Sequence, residues 1–467
     1  MVGGSGPWNL VRFQGEQATN LVRIDRCSME ETPMIITPHS ERNLIATPES
    51  FGDGEFSKLD GFPGFTKWQG RSLVVRITGA NIQYILDHWP DAQWIGGAEE
   101  HKADRLRHLE EAAANREAKG TAPGPVTDYA FKRPPMAHQL KALQVSRERP
   151  VYGLFMEQGT GKTKVTLDNA CWLFGREEIE ALVIVAWPCG VHRNWIDHEL
   201  PQDMTVPYLA YYWSGNHAAK YRERQWREVI GGSKGYLKVF AFNVEAFVSE
   251  KARDRLLKVL RKFRSMLVID QSASIKSHTA KRTKFLVRRA APLAAYRRIL
   301  DGQPVAEGGH ELYSQFQFLD PAIIGHDTWT GFRAEFCRVG FFNEIIGYKN
   351  LDRLHDRIDG FSFRIRADDC LDLPPRIYRR WSFDLAPEER RIYDELARKG
   401  LAQFRAPGAE DEGMSPRIEE ALALVKLLRL QQIASGWWPD PENFQMICEP
   451  SRLLAMKALM EAIEGKA

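Results

Sequence analysis

Tyr152-Gly153-Leu154-Phe155-Met156-Glu157-Gln158-Gly159-Thr160-Gly161-Lys162-Thr163 is an apolar run that breaks at a glycine-bearing turn and continues into the helical pattern of residues 164–174. Strand, loop and helix in that order bring backbone N–H groups to a helix N-terminus, where they hold phosphate. Gly159 and Gly161 let the backbone wrap phosphate oxygens, with Glu157, Gln158 and Thr160 completing the loop. Lys162 is expected to neutralise the β and γ oxygens and the Thr163 hydroxyl to ligate magnesium. The loop therefore predicts ATP and Mg2+ as cofactors. Met156 stands where the common pattern has its first glycine.

Outward from this loop, short apolar runs alternate with helical stretches. Residues 152–156, 182–186, 237–242, 266–269 and 298–300 read as buried strands of one parallel sheet, each linked by helices. That pattern predicts an α/β fold with a doubly wound parallel sheet. The run Met266-Leu267-Val268-Ile269 ends on Asp270, the acidic residue expected at the tip of a later strand to hold the metal through water.

At 467 residues, 43% hydrophobic and 27% charged, the chain has room for about three domains at roughly 150 residues each. No apolar run approaches the ~18 residues that span a bilayer, and the start, MVGGSGPWNLVRF, lacks a basic region followed by an apolar one. No membrane partner and a cytoplasmic location are expected. Six cysteines without a CxxC pair suit reduced thiols. Net charge is +3, yet residues 251–298 hold fifteen Lys or Arg against Asp254 and Asp270, a local +13 that suits either a solvated face or a polyanion footprint.

The boundaries follow composition. Residues 1–97 read as an N-terminal accessory module, with a β-β-α unit over 62–95 built from the Gln69-Gly70 turn, the alternation Leu73 to Ile77 and a helical pattern from Asn81. Within it Lys67, Trp68, Arg71 and Arg76 are candidates for a nucleic-acid backbone or base, and Trp68, Trp89 and Trp94 equally for a small core. Residues 98–130 read as a solvated helical spacer and linker, 131–373 as the ATP-binding domain, and 374–467 as mainly helical.

With the phosphate loop and Asp270-Gln271-Ser272-Ala273-Ser274-Ile275-Lys276 in place, residues 134–467 resemble the SNF2-like branch of superfamily 2 helicases, especially its compact phage and bacterial members. The resemblance implies a RecA-like first lobe at 131–373 and the beginning of a second in 374–467. It gives Gln139, in Pro135-Met136-Ala137-His138-Gln139, the adenine-reading role. Residues 186–195 resemble motif Ia and 242–245 motif Ib, placing Pro188, His192, Arg193 and Asn243 beside DNA, with Lys276, Lys281, Arg282 and Lys284 as further phosphate contacts. Asp301-Gly302-Gln303-Pro304-Val305 occupies the place of motif III, usually Thr-Gly-Thr-Pro, so Gly302, Gln303 and Pro304 would couple phosphate state to DNA contact. Residues 347–351 and 364–375 resemble the insertion and linker between lobes.

Hydrolysing members carry a glutamate after the motif II aspartate; this chain has Gln271. An amide positions water but accepts no proton from it at neutral pH. The expected activity is ATP-driven translocation on, or remodelling of, double-stranded DNA without sequence preference, with Lys162, Asp270 and Gln271 as the catalytic set and hydrolysis impaired. The alternatives are a non-catalytic, ATP-responsive DNA-binding protein and one part of a split motor completed by a separate polypeptide carrying lobe two.

Overall fold

The computed structural model describes residues 34–48, 58–59, 61–63, 66–188, 190–213, 219–372, 374, 380–399, 416–438, 445–446 and 450–462. Two compact units result, 1–373 and 374–467.

The first unit opens with a five-stranded sheet. Strands β1 (Met34–Ser40), β2 (Asn43–Pro48), β3 (Thr66–Gln69) and β4 (Ser72–Arg76) precede helix α1 (Gly79–His88) and the short β5 (Gln93–Trp94), in the order β3-β4-β2-β1-β5. The expected β-β-α unit is present as β3, β4 and α1, but it lies on a hairpin, β1–β2, for which residues 1–50 offered no periodic signal. Met34, Ile36, Leu44, Ala46, Leu73, Val75, Ile82 and Ile85 close the module's own core with Trp89 and Trp94, whereas Trp68 lies on the exposed edge strand. Arg76 is held by Asp327 at 2.7 Å.

Helix α2 (Ala98–Gly120) is not a solvated spacer. Its buried Arg105 donates to Gln83 Oε1 at 3.1 Å and His108 stacks on Phe361 at 4.5 Å. Lys119 Nζ reaches Asp359 at 2.6 Å. Low mean apolarity hid this role, because the helix docks through polar and small residues rather than a Leu/Ile stripe.

Helix α3 (Ala137–Ser146) leads into β6 (Val151–Met156), α4 (Lys162–Gly175) and β7 (Ala181–Ala186). Helix α5 starts at Val191–Asn194, widens into a π turn over Trp195–Glu199 and ends at Leu200–Asp203. Then come β8 (Tyr208–Tyr212), α6 (Ala219–Ile230), β9 (Leu237–Asn243), α7 (Glu250–Lys262) and β10 (Ser265–Asp270). Helix α8 (Lys281–Phe285, continuing as a π turn over Leu286–Ala290) leads to β11 (Tyr296–Leu300). After it come α9 (Leu312–Leu319), α10 (Pro321–Ile324), α11 (Trp329–Phe336), the hairpin β12 (Cys337–Val339) and β13 (Ile345–Tyr348), α12 (Leu351–Asp359) and β14 (Ser362–Ile365).

Seven of these strands form one all-parallel sheet in the order β14-β6-β11-β10-β7-β9-β8. Alternate residues feed opposite layers: Val183, Phe240, Leu267 and Ile299 join one apolar cluster, Leu182, Val239, Val268 and Leu300 the other. This is the doubly wound α/β arrangement the runs of apolar residues predict, with all five expected strands present. Two strands went unread. β8 is only half-buried, and β14 includes Arg364 and Ile365, placed by the resemblance in an interlobe linker; both pair instead with β6 residues.

The +13 run does not form one surface. Arg255 is buried against Tyr211 and Glu223, Arg264 pairs with Glu178, and Arg298 is wholly buried with its guanidinium on the carbonyls of Ser146, Arg149, Pro150 and Arg297 and on Asn169 Oδ1. Loss of solvation lowers the Arg298 pKa to about 9.

In the second unit the described residues form α13 (Pro387–Lys399), α14 (Pro416–Ile433), the ribbon β15 (Trp437–Trp438) with β16 (Gln445–Met446), and α15 (Ser451–Ala462). Buried Glu389 of α13 accepts from the Ser451 hydroxyl at the start of α15.

Gly360 tests the docking of α2. A β-carbon there would sit 2.8 Å from Ala112 Cα and 2.9 Å from Ala112 O, a backbone that cannot yield. Gly360→Val is expected to cost about 1–3 kcal/mol, read as a lower urea midpoint with faster proteolysis between residues 121 and 128. A helix standing free of the sheet domain would leave both unchanged.

Candidate nucleotide site

Register brings the site together. Asp270 pairs with Leu300, and Leu300 with Leu154, so β6, β10 and β11 end on one edge of the sheet, where ligands bind in open α/β sheets. The phosphate loop leaves β6 there. Gly159 and Gly161 have φ of +82° and +89°, a region that side chains disfavour, and Gly161 caps α4.

Gln139 rests on this loop so closely that a β-carbon at Gly161 would lie 2.3 Å from its Nε2. Its Nε2 donates to Thr160 O at 3.2 Å, its Oε1 accepts from Met136 N at 3.1 Å, and His138 Nε2 also meets Thr160 O at 2.8 Å. The Thr160 hydroxyl donates to Glu157 O, and Glu157 accepts from Ala367 N at 2.8 Å, tying the loop to the segment after β14. Gln139, Gln158, Gly159, Gly161, Lys162 and Thr163 line a cavity of about 590 Å3 together with Arg133 and Met136.

Lys162 Nζ donates to Met156 O at 2.6 Å and Glu157 O at 3.2 Å. Burial lowers its pKa, and the carboxylates of Asp270, Asp301 and Glu157 oppose that shift. The same carboxylates that stabilise the ammonium lie within its electrostatic reach, so a phosphate entering the loop meets a cation already oriented.

Asp270 opens with Gln271 onto a neighbouring cavity of about 430 Å3 lined also by Trp187, Val191, Ala273 and Lys276. Burial raises the Asp270 pKa, countered by a hydrogen bond from Trp195 Nε1 to Oδ2 at 2.9 Å and by Lys162. That bond fixes one oxygen and orients the other, as outer-shell donors orient metal-binding carboxylates. A half-buried carboxylate and the Thr163 hydroxyl are hard oxygen donors of the kind that suit Mg2+. When bound, the ion would neutralise phosphate charge. Trp195 reads as core packing from sequence; only the π turn that carries it reveals its indole N–H on Asp270.

Gln271 adopts φ 60°, ψ 68°, a left-handed conformation costly for a non-glycine residue. Its Nε2 approaches Asp301 Oδ1 at 3.5 Å. Asp301, wholly buried, accepts from Ala273 N at 2.8 Å and Gln303 N at 2.9 Å and lies 3.4 Å from the Ser272 hydroxyl. Gly302 packs where a β-carbon would lie 3.4 Å from Gln158 N, and Pro304 O accepts from Gln315 Nε2 at 2.7 Å. Gln315 Oε1 in turn accepts from the Ser272 hydroxyl at 2.5 Å. Motifs II and III are thus in direct contact through Asp301 and Gln315, and the phosphate loop meets motif III at Gly302; the sequence places Asp301 in motif III but assigns no role to it or to Gln315.

The residues expected to face DNA are not equally free. His192 is buried with Nε2 on Trp213 O at 2.9 Å and its pKa lowered by burial, so it positions the chain rather than meeting a ligand. The Asn243 side chain caps the next turn by accepting from Ala246 N. Lys276 is neutralised by Glu311 at 2.6 Å and Glu307 at 3.3 Å, Arg282 by Glu245 at 2.8 Å, and Arg193 by Asp197 at 2.7 Å. Pro188 is half-buried, while Lys281 and Lys284 are exposed.

Two substitutions probe this geometry. Lys162→Ala is expected to abolish binding of a fluorescent ATP analogue. Trp195→Phe should weaken Mg2+-dependent nucleotide binding about 10- to 100-fold, the usual cost of losing an outer-shell partner, while binding without Mg2+ holds. Equal losses with and without the ion would show that Trp195 serves packing alone.

The SNF2-related domain matches residues 138–435. Over 176 residues the chain is 29% identical to the mouse DNA annealing helicase and endonuclease ZRANB3, covering 34% of this chain and 16% of that protein. Over 258 residues it is 24% identical to the Drosophila melanogaster ATP-dependent helicase brm, covering 52% and 14%. The solved Sulfolobus solfataricus SWI2/SNF2 ATPase core in complex with dsDNA matches 72% of this chain and 66% of its own, at 18% identity and a TM-score of 0.43. The chain thus spans less than a fifth of the length of the two curated relatives. With well over half of its residues matched by the family, the chain belongs to the SNF2-related proteins.

Proposed function

We propose that this chain binds Mg2+–ATP and double-stranded DNA without sequence preference, as a translocase or remodelling motor of the SNF2 type whose hydrolysis is impaired. The carrying observation is the pairing of Gln271 with Asp301. Where the family has a glutamate and a threonine, this chain has an amide and a carboxylate 3.5 Å apart. Asp301 does not replace the lost base, because it is wholly buried and both oxygens already accept backbone N–H groups. A general base is worth ~10² to 10⁴ in rate, and its absence leaves binding intact while slowing turnover.

The pairing also explains why restoring the glutamate alone fails. In Gln271→Glu a second carboxylate would stand where the Gln271 amide now approaches Asp301 Oδ1 at 3.5 Å, and like-charge repulsion would turn the new side chain away from that position. Phosphate release measured with and without duplex DNA is therefore expected to stay low both in the parent chain and in Gln271→Glu. Robust DNA-stimulated release by the unmodified chain would return it to the active motors.

Support for the DNA partner comes from the family and from the exposed Lys281 and Lys284 beside motif II. Neutralising both should flatten the slope of log affinity against log salt by about two phosphate contacts. An unchanged slope would make them a solvated face. A second reading is a motor completed by a separate lobe-two polypeptide, since the described residues of 374–467 form helices and one two-stranded antiparallel ribbon. Turnover that rises when such a polypeptide is added would favour it.

A further inference from the structure

The β12–β13 hairpin carries two aromatic residues at its tip, Phe341 and Phe342, with 96% and 85% of their surface exposed, and Ile346 beside them at 66%. Exposed apolar residues scattered singly need no explanation; adjacent ones on a projecting hairpin mark a contact surface. The two rings stand 5.4 Å apart at 89°, presenting both a face and an edge outward.

Charge narrows the partner. Arg333 and Arg338 stand near the tip and Lys349 at the base of the stem, its N–H on Phe336 O, while of the two carboxylates in this span Glu335 is buried on Arg357 and Glu344 lies in the tip. Arg338 lies across the hairpin over Gly347, and Arg333 donates to Asn343 O at 3.4 Å, bracing the turn. Neither Arg338 nor Lys349 forms an ion pair among the described residues. Aromatic faces bordered by unpaired cations are the chemistry that binds bases by stacking and their phosphates by charge. An apolar protein partner or a second copy would make no use of the cations.

The stem is anchored to the motor cluster. Tyr348 OH meets His310 Nδ1 at 2.5 Å with the two rings nearly parallel, and Gly308 leaves no room for a β-carbon beside that hydroxyl. His310 adjoins Glu311, which holds Lys276 of motif II and accepts from Ala306 N at 2.6 Å. One helical turn on, Gln315 bonds Pro304 O of motif III and the Ser272 hydroxyl. A rearrangement at Asp270 to Pro304 therefore has a hydrogen-bonded route to the hairpin.

We propose that Phe341 and Phe342 form a wedge that stacks on unpaired nucleobases of the DNA engaged by this motor. The proposal rests on the DNA reading above and adds a structure preference to it: forks and junctions over uninterrupted duplex, because only unpaired bases offer free faces to the rings.

The test uses the full chain with a blunt duplex and with a fork carrying 2-aminopurine at the first unpaired position. The parent chain should quench the probe and prefer the fork. Phe341→Ser with Phe342→Ser should lose the quench and at least about tenfold in fork affinity while keeping duplex affinity, and Phe341→Tyr with Phe342→Tyr should retain both. A serine variant that keeps quench and preference overturns the wedge, as does one that alters only the sedimentation of the protein, which would assign the tip to self-association. A parent chain that binds neither DNA overturns the DNA reading itself, and the wedge with it. Binding to duplex and fork with equal affinity and no quench overturns the wedge alone.

Discussion

The Asp301 carboxylate follows the end of β11 with no exposed surface, and the loops after β10 and β11 are assembled around it. A buried carboxylate is tolerated only when its lone pairs are filled, and here they are filled by the N–H groups of Ala273 and Gln303, one from motif II and one from motif III. That requirement sets the path of both loops. It also brings Gln271 within reach, and Gln271 is held in a left-handed backbone conformation beside it. Removing the carboxylate would leave two loop N–H groups without an acceptor at the edge where the phosphate loop, Asp270 and Gly302 meet.

The same strand carries the opposite problem near its other end. Arg298 places a guanidinium inside the sheet domain and satisfies it with four backbone carbonyls and Asn169 rather than with a counter-charge. The acceptors come from the end of α3, the turn before β6, β11 itself and α4. One side chain thus fixes the approach to β6, and hence the start of the phosphate loop, by hydrogen bonding alone. Between them Arg298 and Asp301 make β11 the element to which its neighbours are tied by polar contacts at both ends, while the apolar clusters on either face supply most of the burial.

Much of the candidate nucleotide site was legible because its chemistry is local. Gly159, Gly161, Lys162 and Thr163 are adjacent in sequence, their spacing states the turn they must make, and the strand and helix on either side confirm the context. Asp270 was legible for a similar reason, ending a run of buried apolar residues. Trp195 and Gln315 were not. Trp195 acts through its indole N–H, 75 positions from Asp270, and Gln315 through both ends of its amide, 43 positions from Ser272, and nothing in local pattern distinguishes those atoms. His192, put beside DNA by the resemblance to motif Ia, is instead buried with its ring on the carbonyl of Trp213, a contact no local pattern announces.

By itself the sequence determined the parallel sheet, the phosphate loop and the amide at Gln271, because apolar runs, glycine spacing and residue identity are properties of short segments. Tertiary structure decided the rest. Only folding showed that the +13 run is divided among two buried arginines, ion pairs and exposed lysines and arginines, since charge counts along a chain ignore direction. Only folding turned the polar helix at 98–120 into a docked element through Arg105, His108 and the close approach of Ala112 to Gly360. And only folding placed Asp301 beside Gln271, 30 residues apart, because two strands of a sheet ending on the same edge bring their last residues together whatever lies between them in sequence.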